Sequence, residues 1–349
     1  MADSLSCHHH TTFDHTSNIK EKYMSTRHLA SAGLAALLAI AALGGCATNS
    51  SPATNSSGSP DSPVALPSDA VAGFTIPGNS DKGGKNNPVK IGVVGASNEQ
   101  FQVLTQAAQA EGIYLSFMDF TDYSQLNPAL SSKELDLNQF QHIIYLAQYN
   151  IETKNTLVPI GSTAIYPLGL YSRQYTSAAD IPAGATVVVP DDQTNQARGL
   201  QVLQSVGLIT LNAGTPSLFG QVADIDQANS KVKVQAIGAD QTSRSLDDPT
   251  IAAAIINNDY IADTGLKPQD AIAQDDPSSD AAAPFINIWV SRAEDQNLPL
   301  YQEIVRLAHS DAWNQALLAN SDGTGVLVND PPARLQAVLE DVEKQLQNS

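Results

Sequence analysis

From Val89 to the C-terminus, short apolar runs alternate with segments whose apolar residues recur at helical spacing, and this alternation restricts the fold more than any other feature. Val89-Lys90-Ile91-Gly92-Val93-Val94 predicts a strand ended by Gly95, and Gln100–Ala110 follows with Phe101, Leu104, Ala107 and Ala108 on one helical face. Tyr114–Phe120 predicts a second strand, Gln141–Tyr149 a helix, and Leu157–Tyr171 a long apolar stretch. Thr186–Val189 predicts a strand ending at Pro190-Asp191-Asp192, and Thr194–Ser205 a helix opened by a Thr cap. Val232–Ile237, Ala252–Ile256 and Phe285–Ser291 read as further strands, with Tyr301–Leu318 and Ala333–Gln347 as closing helices. Such alternation predicts an α/β fold with largely parallel sheets. A first lobe is expected over 89–165, a second over 166–284, and a return to the first over 285–349. Two lobes joined by crossing connections leave a cleft, a preferred place for a ligand.

Residues 1–88 have a different texture. Met24 opens an export signal, with Arg27 and His28 as its basic region and Leu29–Leu43 as an uncharged apolar core. That core is too short to span a bilayer, which takes about 20 residues. Leu43-Gly44-Gly45-Cys46 resembles a lipobox, so 24–45 is expected to be a lipoprotein signal peptide and Cys46 the lipidation site. Anchoring through more than one acyl chain holds a protein stably on a membrane. The expected location is therefore the extracytoplasmic face of the cell membrane. Residues 1–23, with His8-His9-His10, read as a start-site artefact ahead of the better start at Met24. Residues 46–88 are rich in Ser, Pro, Gly, Asn and Asp and cannot bury enough apolar surface to offset ordering entropy, so a flexible tether is expected.

Composition narrows the function by exclusion. The formal net charge is −18, which repels nucleic acid at long range, and no nucleic-acid partner is expected. The two cysteines are Cys7 and Cys46, so processing at Cys46 leaves no disulfide. No Gly-x-Ser-x-Gly elbow and no Gly-x-x-x-x-Gly-Lys-[Ser/Thr] loop occurs. Only His142 and His309 remain after processing, too few for a zinc constellation. No catalytic residue, metal or cofactor is expected. Asp191-Asp192 and Asp275-Asp276 read as solvated turn residues.

The segment Glu134-Leu135-Asp136-Leu137-Asn138-Gln139-Phe140-Gln141-His142-Ile143-Ile144-Tyr145-Leu146 closely resembles the signature of the NlpA/MetQ lipoproteins, the methionine-binding subunits of ABC importers. Further matches follow in order: Tyr123 in Phe-Thr-Asp-Tyr, Tyr166-Pro167-Leu168-Gly169-Leu170-Tyr171-Ser172, Asn195-Gln196-Ala197-Arg198, Ile255-Ile256-Asn257-Asn258-Asp259-Tyr260, and Pro284-Phe285-Ile286-Asn287-Ile288. The resemblance implies a two-lobed periplasmic-binding-protein-like fold (type II), with the ligand between the lobes. It departs from the family at Ile143-Ile144, at Gln193 and around 275–284.

By this resemblance the ligand-binding residues are Tyr123, Phe140, His142, Tyr145, Asn195, Arg198, Asn257 and Tyr260. A zwitterion needs a partner for its carboxylate, and Arg198 can supply a bidentate fork. Thr194 and Asn195 lie at a helix start, where free N–H groups favour an anion. Asn257 can offer both functions of its amide. Aromatic faces suit a polarisable thioether. Each residue has a plainer reading: a surface Arg, a turn Asn, a core histidine or packed aromatics. The expected function is capture of methionine or a close analogue outside the cytoplasm and its delivery to an ABC permease and its ATPase. The alternatives are a methionine-containing dipeptide or another apolar amino acid on the same fold, motivated by Ile143-Ile144, and a surface adhesin or signalling lipoprotein without transport.

Overall fold

The computed structural model describes residues 81–348. The expected signal peptide, Cys46 and the tether as far as residue 80 lie outside the described residues. In chain order the first elements are β1 (Val89–Val93), α1 (Glu99–Ala110), β2 (Leu115–Asp119), α2 (Leu126–Ser131), β3 (Leu137–His142), α3 (Ile143–Thr153) and β4 (Leu157–Ser162). Then come β5 (Ala164–Ile165), β6 (Gly169–Tyr171), β7 (Thr186–Pro190), α4 (Gln193–Ser205), β8 (Lys233–Ile237), α5 (Ala239–Ser245), β9 (Ile251–Ile256), α6 (Asn258–Ile261) and β10 (Ala273–Gln274). The last are β11 (Asn287–Arg292), α7 (Pro299–Leu307), α8 (Asp311–Asn320), β12 (Val326–Leu327) and α9 (Pro332–Asn348).

Two five-stranded sheets result, one in the order β2-β1-β3-β11-β4 and the other in the order β10-β6-β9-β7-β8. The chain leaves the first sheet after β4 and regains it at β11, so two connections cross between lobes. The sheets are mixed rather than largely parallel. β1 is parallel to β2 and β3, and β7 to β8 and β9. β11 is antiparallel to both β3 and β4, and β6 to β9. The reason is topological: β11 enters from the other lobe at the end where β3 finishes, with Asn287 opposite His142. It must therefore run back against β3.

β11 shows how the first lobe is layered. Trp289 joins Val93, Phe101, Leu104 and Trp313 on one face of the sheet. Its neighbours Ile288 and Val290 face the opposite way and join Ile143, Leu146, Leu335 and Leu339. This period of two buries apolar side chains on both faces, each contributing about 1.5–3 kcal/mol.

Three expectations need correction. Gln141 and His142, read as the start of a helix, end the strand Leu137–His142, and all its residues are buried despite the polar sequence Leu-Asn-Gln-Phe-Gln-His. The long helix expected over 301–318 is two helices, and the Ser310 side chain caps the second by accepting from the Trp313 N–H. Residues 81–88, read as the end of the tether, are ordered. Gly83 and Asn87 form a tight turn, Tyr114 N–H donates to Gly83 O at 2.8 Å, and Lys82 pairs with Asp136. Backbone pairing orders this stretch, which composition does not report. Among the described residues no helix is long and apolar enough to cross a membrane.

Candidate ligand-binding cleft

Strand period places the aromatic wall. Phe140 and His142 lie two residues apart on β3, so both side chains leave the same face at its carboxyl end. Helix α3 starts at the next residue, and His142 caps it: Nδ1 accepts the Tyr145 N–H at 3.2 Å. The other lobe contributes from equivalent positions. Asn195 and Arg198 lie on α4 just beyond β7, and Asn257 directly follows β9. Gly199 lets α4 lie close to β9, since a Cβ there would meet the Ile255 side chain at 3.1 Å. Ligands of open α/β sheets bind at the carboxyl ends of strands, and this is where these residues gather.

A narrow slot of about 430 Å³, counting its open mouth, is lined by Tyr123, Phe140, His142, Tyr145, Asn195, Arg198 and Asn257. Tyr166, Asp259 and Asn287 line it as well. Of the residues expected at the site, only Tyr260 is absent from its wall. That side chain packs behind Tyr123, with ring centroids 5.2 Å apart, and its hydroxyl donates across the lobes to Thr121 O at 3.0 Å. The rings of Tyr123, Phe140 and Tyr145 pack mutually at tilted or edge-on angles, with centroids 5.6–6.2 Å apart, as aromatic quadrupoles prefer.

A chain of hydrogen bonds fixes the polar groups. Because Nδ1 of His142 is an acceptor, the ring proton sits on Nε2 and donates to Asn195 Oδ1 at 3.1 Å, across the lobes. Asn195 Oδ1 also accepts from Asn257 Nδ2 at 2.9 Å, while Asn195 Nδ2 donates to the Asp192 carboxylate. Burial, and then the Arg198 charge, lower the His142 pKa to about 4, so the ring is neutral near pH 7. Asn257 Oδ1 is left buried with no partner. Of the two amide functions expected from Asn257, the oxygen is thus without a partner, while the nitrogen has one of its two N–H groups engaged by Asn195.

Arg198 is held on three sides. Its Nε donates to Asp275 Oδ2 at 2.6 Å, its Nη2 to Tyr166 O at 2.7 Å, and its guanidinium carbon lies 4.3 Å from the Phe285 ring centroid. The second carboxylate oxygen of Asp275 accepts the Leu168 N–H at 2.8 Å, which ties Arg198 to both inter-lobe connections. The fork expected from the sequence is therefore partly engaged, and the Nη1 end is what remains.

Both acidic turns were misjudged in part. Asp275 is the Arg198 partner rather than a solvated residue. Asp192, not Thr194, caps α4, accepting the Asn195 N–H at 2.9 Å, and burial raises its pKa. A carboxylate already fills the helix start that was expected to favour a ligand anion. Ile143 and Ile144 are fully buried in the core on the far side of α3, so that departure from the family does not touch the slot. Sequence reasoning missed Asp259 and Asn287, which line the slot, and Phe285 and Asp275, which hold Arg198, although the first three lie inside its matching segments and Asp275 in a turn it read as solvated.

The fold and the cleft define a class: a two-lobed, type II periplasmic-binding-protein architecture that encloses a small solute between its lobes. The NlpA lipoprotein family matches residues 89–328. The D-methionine-binding lipoprotein MetQ of Escherichia coli (strain K12) is 36% identical over 233 residues, 66% of this chain and 84% of that protein. The substrate-binding protein of a methionine transporter from Streptococcus pneumoniae superposes with a TM-score of 0.64 at 32% identity, covering 71% of this chain and 96% of that one. A nutrient-binding protein from Burkholderia cenocepacia, solved bound to methionine, gives 0.63 at 34% identity over 68% and 99% of the two chains. The chain belongs to the NlpA lipoprotein family.

Proposed function

We propose that this protein is an extracytoplasmic solute-binding lipoprotein that captures methionine and delivers it to an ABC-type permease and its ATPase. One observation carries the reading: a single inter-lobe slot has the rings of Tyr123, Phe140 and Tyr145 on one side and the guanidinium of Arg198 on the other. The Nη1 end of Arg198 takes the ligand carboxylate in a charge-assisted bond. The thioether lies among the rings, where sulfur–aromatic contacts contribute about 0.3–1.5 kcal/mol each. His142 holds Asn195 in place rather than moving a proton, and the site binds without catalysing. Lipidation at Cys46 keeps the protein at the membrane, within reach of the permease.

Titration calorimetry on the full chain in detergent with L- and D-methionine tests this. Binding of one ligand per chain is expected, and Arg198→Ala should weaken it roughly 100-fold. Absence of heat with either enantiomer overturns the methionine reading. In cell fractions the chain should follow the membrane, and Cys46→Ala should become soluble; equal partitioning of the two would end the anchor.

A further inference from the structure

The slot holds a carboxylate that forms no ion pair among the described residues. Asp259 lies on α6, two residues beyond Asn257, and lines both the slot and a smaller polar chamber behind it. The resident guanidinium of the slot is engaged by Asp275, 77 residues from Arg198 in sequence. Among the described residues Asp259 has one hydrogen-bond donor, the Tyr123 hydroxyl at 2.7 Å, and no ion pair. Burial without a compensating charge pushes its carboxyl up to about 6, so it is mostly ionised at neutral pH and under-compensated. Acceptors without donors recur beside it. Asn257 Oδ1 is buried and unpartnered at the slot, and so is Gln100 Oε1, whose residue is 5% exposed and lines the chamber. Buried acceptors cost free energy until a donor arrives. Around the slot and the chamber that Asp259 borders in common, then, the described residues present more acceptors than they satisfy, and one of them is charged.

We infer that Asp259 is the counter-charge for the ligand's ammonium group and, with Asn257 Oδ1, makes the cleft reject the same side chain and carboxylate when the amine is missing. This rests on the binding function proposed above and assigns the opposite pole of the ligand from Arg198. The two charged poles are then met by separate residues of the same lobe. The aromatic wall of the facing lobe covers the apolar part. A purely structural role for Asp259, latching the lobes through Tyr123, would affect every ligand alike.

A cycle of protein and ligand changes separates these cases. The full chain and its Asp259→Asn variant are titrated with methionine and with desamino-methionine, the same thioether acid without the amine. In the unaltered protein methionine should bind roughly 100-fold more tightly. In the variant that preference should collapse to within about tenfold, with desamino-methionine bound at least as well as before. Retained binding of the uncharged-pole ligand also reports a folded variant. The same preference in both proteins overturns the inference, and so does a preference below about threefold in the unaltered protein, a result that needs no variant at all. Methionine bound normally with no cycle effect removes this inference alone. Failure of the unaltered chain to bind either ligand removes the proposed function and this inference with it.

Discussion

The imidazole of His142 sits where three demands meet: it caps α3, bridges to Asn195 in the other lobe, and faces Arg198 across the slot. Burial and the Arg198 charge favour the neutral ring and outweigh the Asn195 bond, which opposes it. An unfolded histidine titrates near 6.5, whereas in the fold burial lowers the value to about 4. Between those values the unfolded chain binds a proton that the folded one lacks. This contribution to stability is therefore full above 6.5 and is lost as the pH falls toward 4. Asp259 acts with the opposite sign. Its carboxyl is raised from 3.8 to about 6, so its contribution is full below 3.8 and is lost as the pH rises through 6. The two trends oppose each other within one slot. His142→Gln removes the first and exposes the second. Relative to the unaltered protein, the variant should gain about 2–3 kcal/mol as the pH falls from 7 to about 4.5. Denaturant unfolding across that range checks it, and a constant gap would falsify the assignment. At this scale the aromatic residues and Arg198 were reached through the family resemblance of their segments, and the fold brings them to one slot. Asp259 and Asp275 were not legible in the sequence. A carboxylate beside turn-forming residues looks solvated until its partner, which is distant in sequence, is placed beside it.

β3 shows why an element can be hidden from pattern reading. Its sequence lacks the apolar alternation of a strand, yet the strand runs through the middle of the first sheet. Burial is possible because its amides satisfy one another. Asn127 on α2 donates to Gln141 Oε1 at 2.7 Å and accepts from Asn138 at 2.9 Å and from Gln141 at 2.6 Å. Gln141 also donates to Asn138 Oδ1 at 3.0 Å. A closed network of this kind costs little when complete and much when broken. Asn127→Ala would strand donors and acceptors of two other buried residues and should cost about 2–4 kcal/mol. Because Phe140 and His142 stand on the same strand, ligand affinity should fall with stability. Guanidinium unfolding and calorimetry on the same sample measure both, and a loss under about half a kcal/mol would show that the network is dispensable. By contrast, β1, β7 and β9 were legible as apolar runs. The break between α7 and α8 was not, because apolar residues keep helical spacing on either side of Ser310.

For the whole molecule, the two-lobed plan followed from the alternation of strands and helices. The mixed strand direction did not, since the sequence does not say from which end β11 enters its sheet. The form described here is closed, and protein groups hold it so: Tyr123 bonds Asp259, His142 bonds Asn195, and Tyr260 bonds Thr121 O, each across the lobes. A ligand touching both lobes shifts the open–closed balance only by its differential affinity, and these bonds lower what it must supply. Tyr260 offers the cleanest probe because it latches the lobes without lining the slot. Tyr260→Phe deletes one neutral hydrogen bond, worth about 1 kcal/mol, from the closed state alone. The affinity should fall about fivefold, as faster dissociation, and by the same factor for methionine and for desamino-methionine. The unliganded chain should also show a larger radius of gyration in solution scattering as the open form gains population. This pattern is the converse of the one expected for Asp259→Asn, which changes the ratio between the two ligands. A Tyr260→Phe variant that altered that ratio would place its hydroxyl in ligand recognition and leave the closed state without this latch.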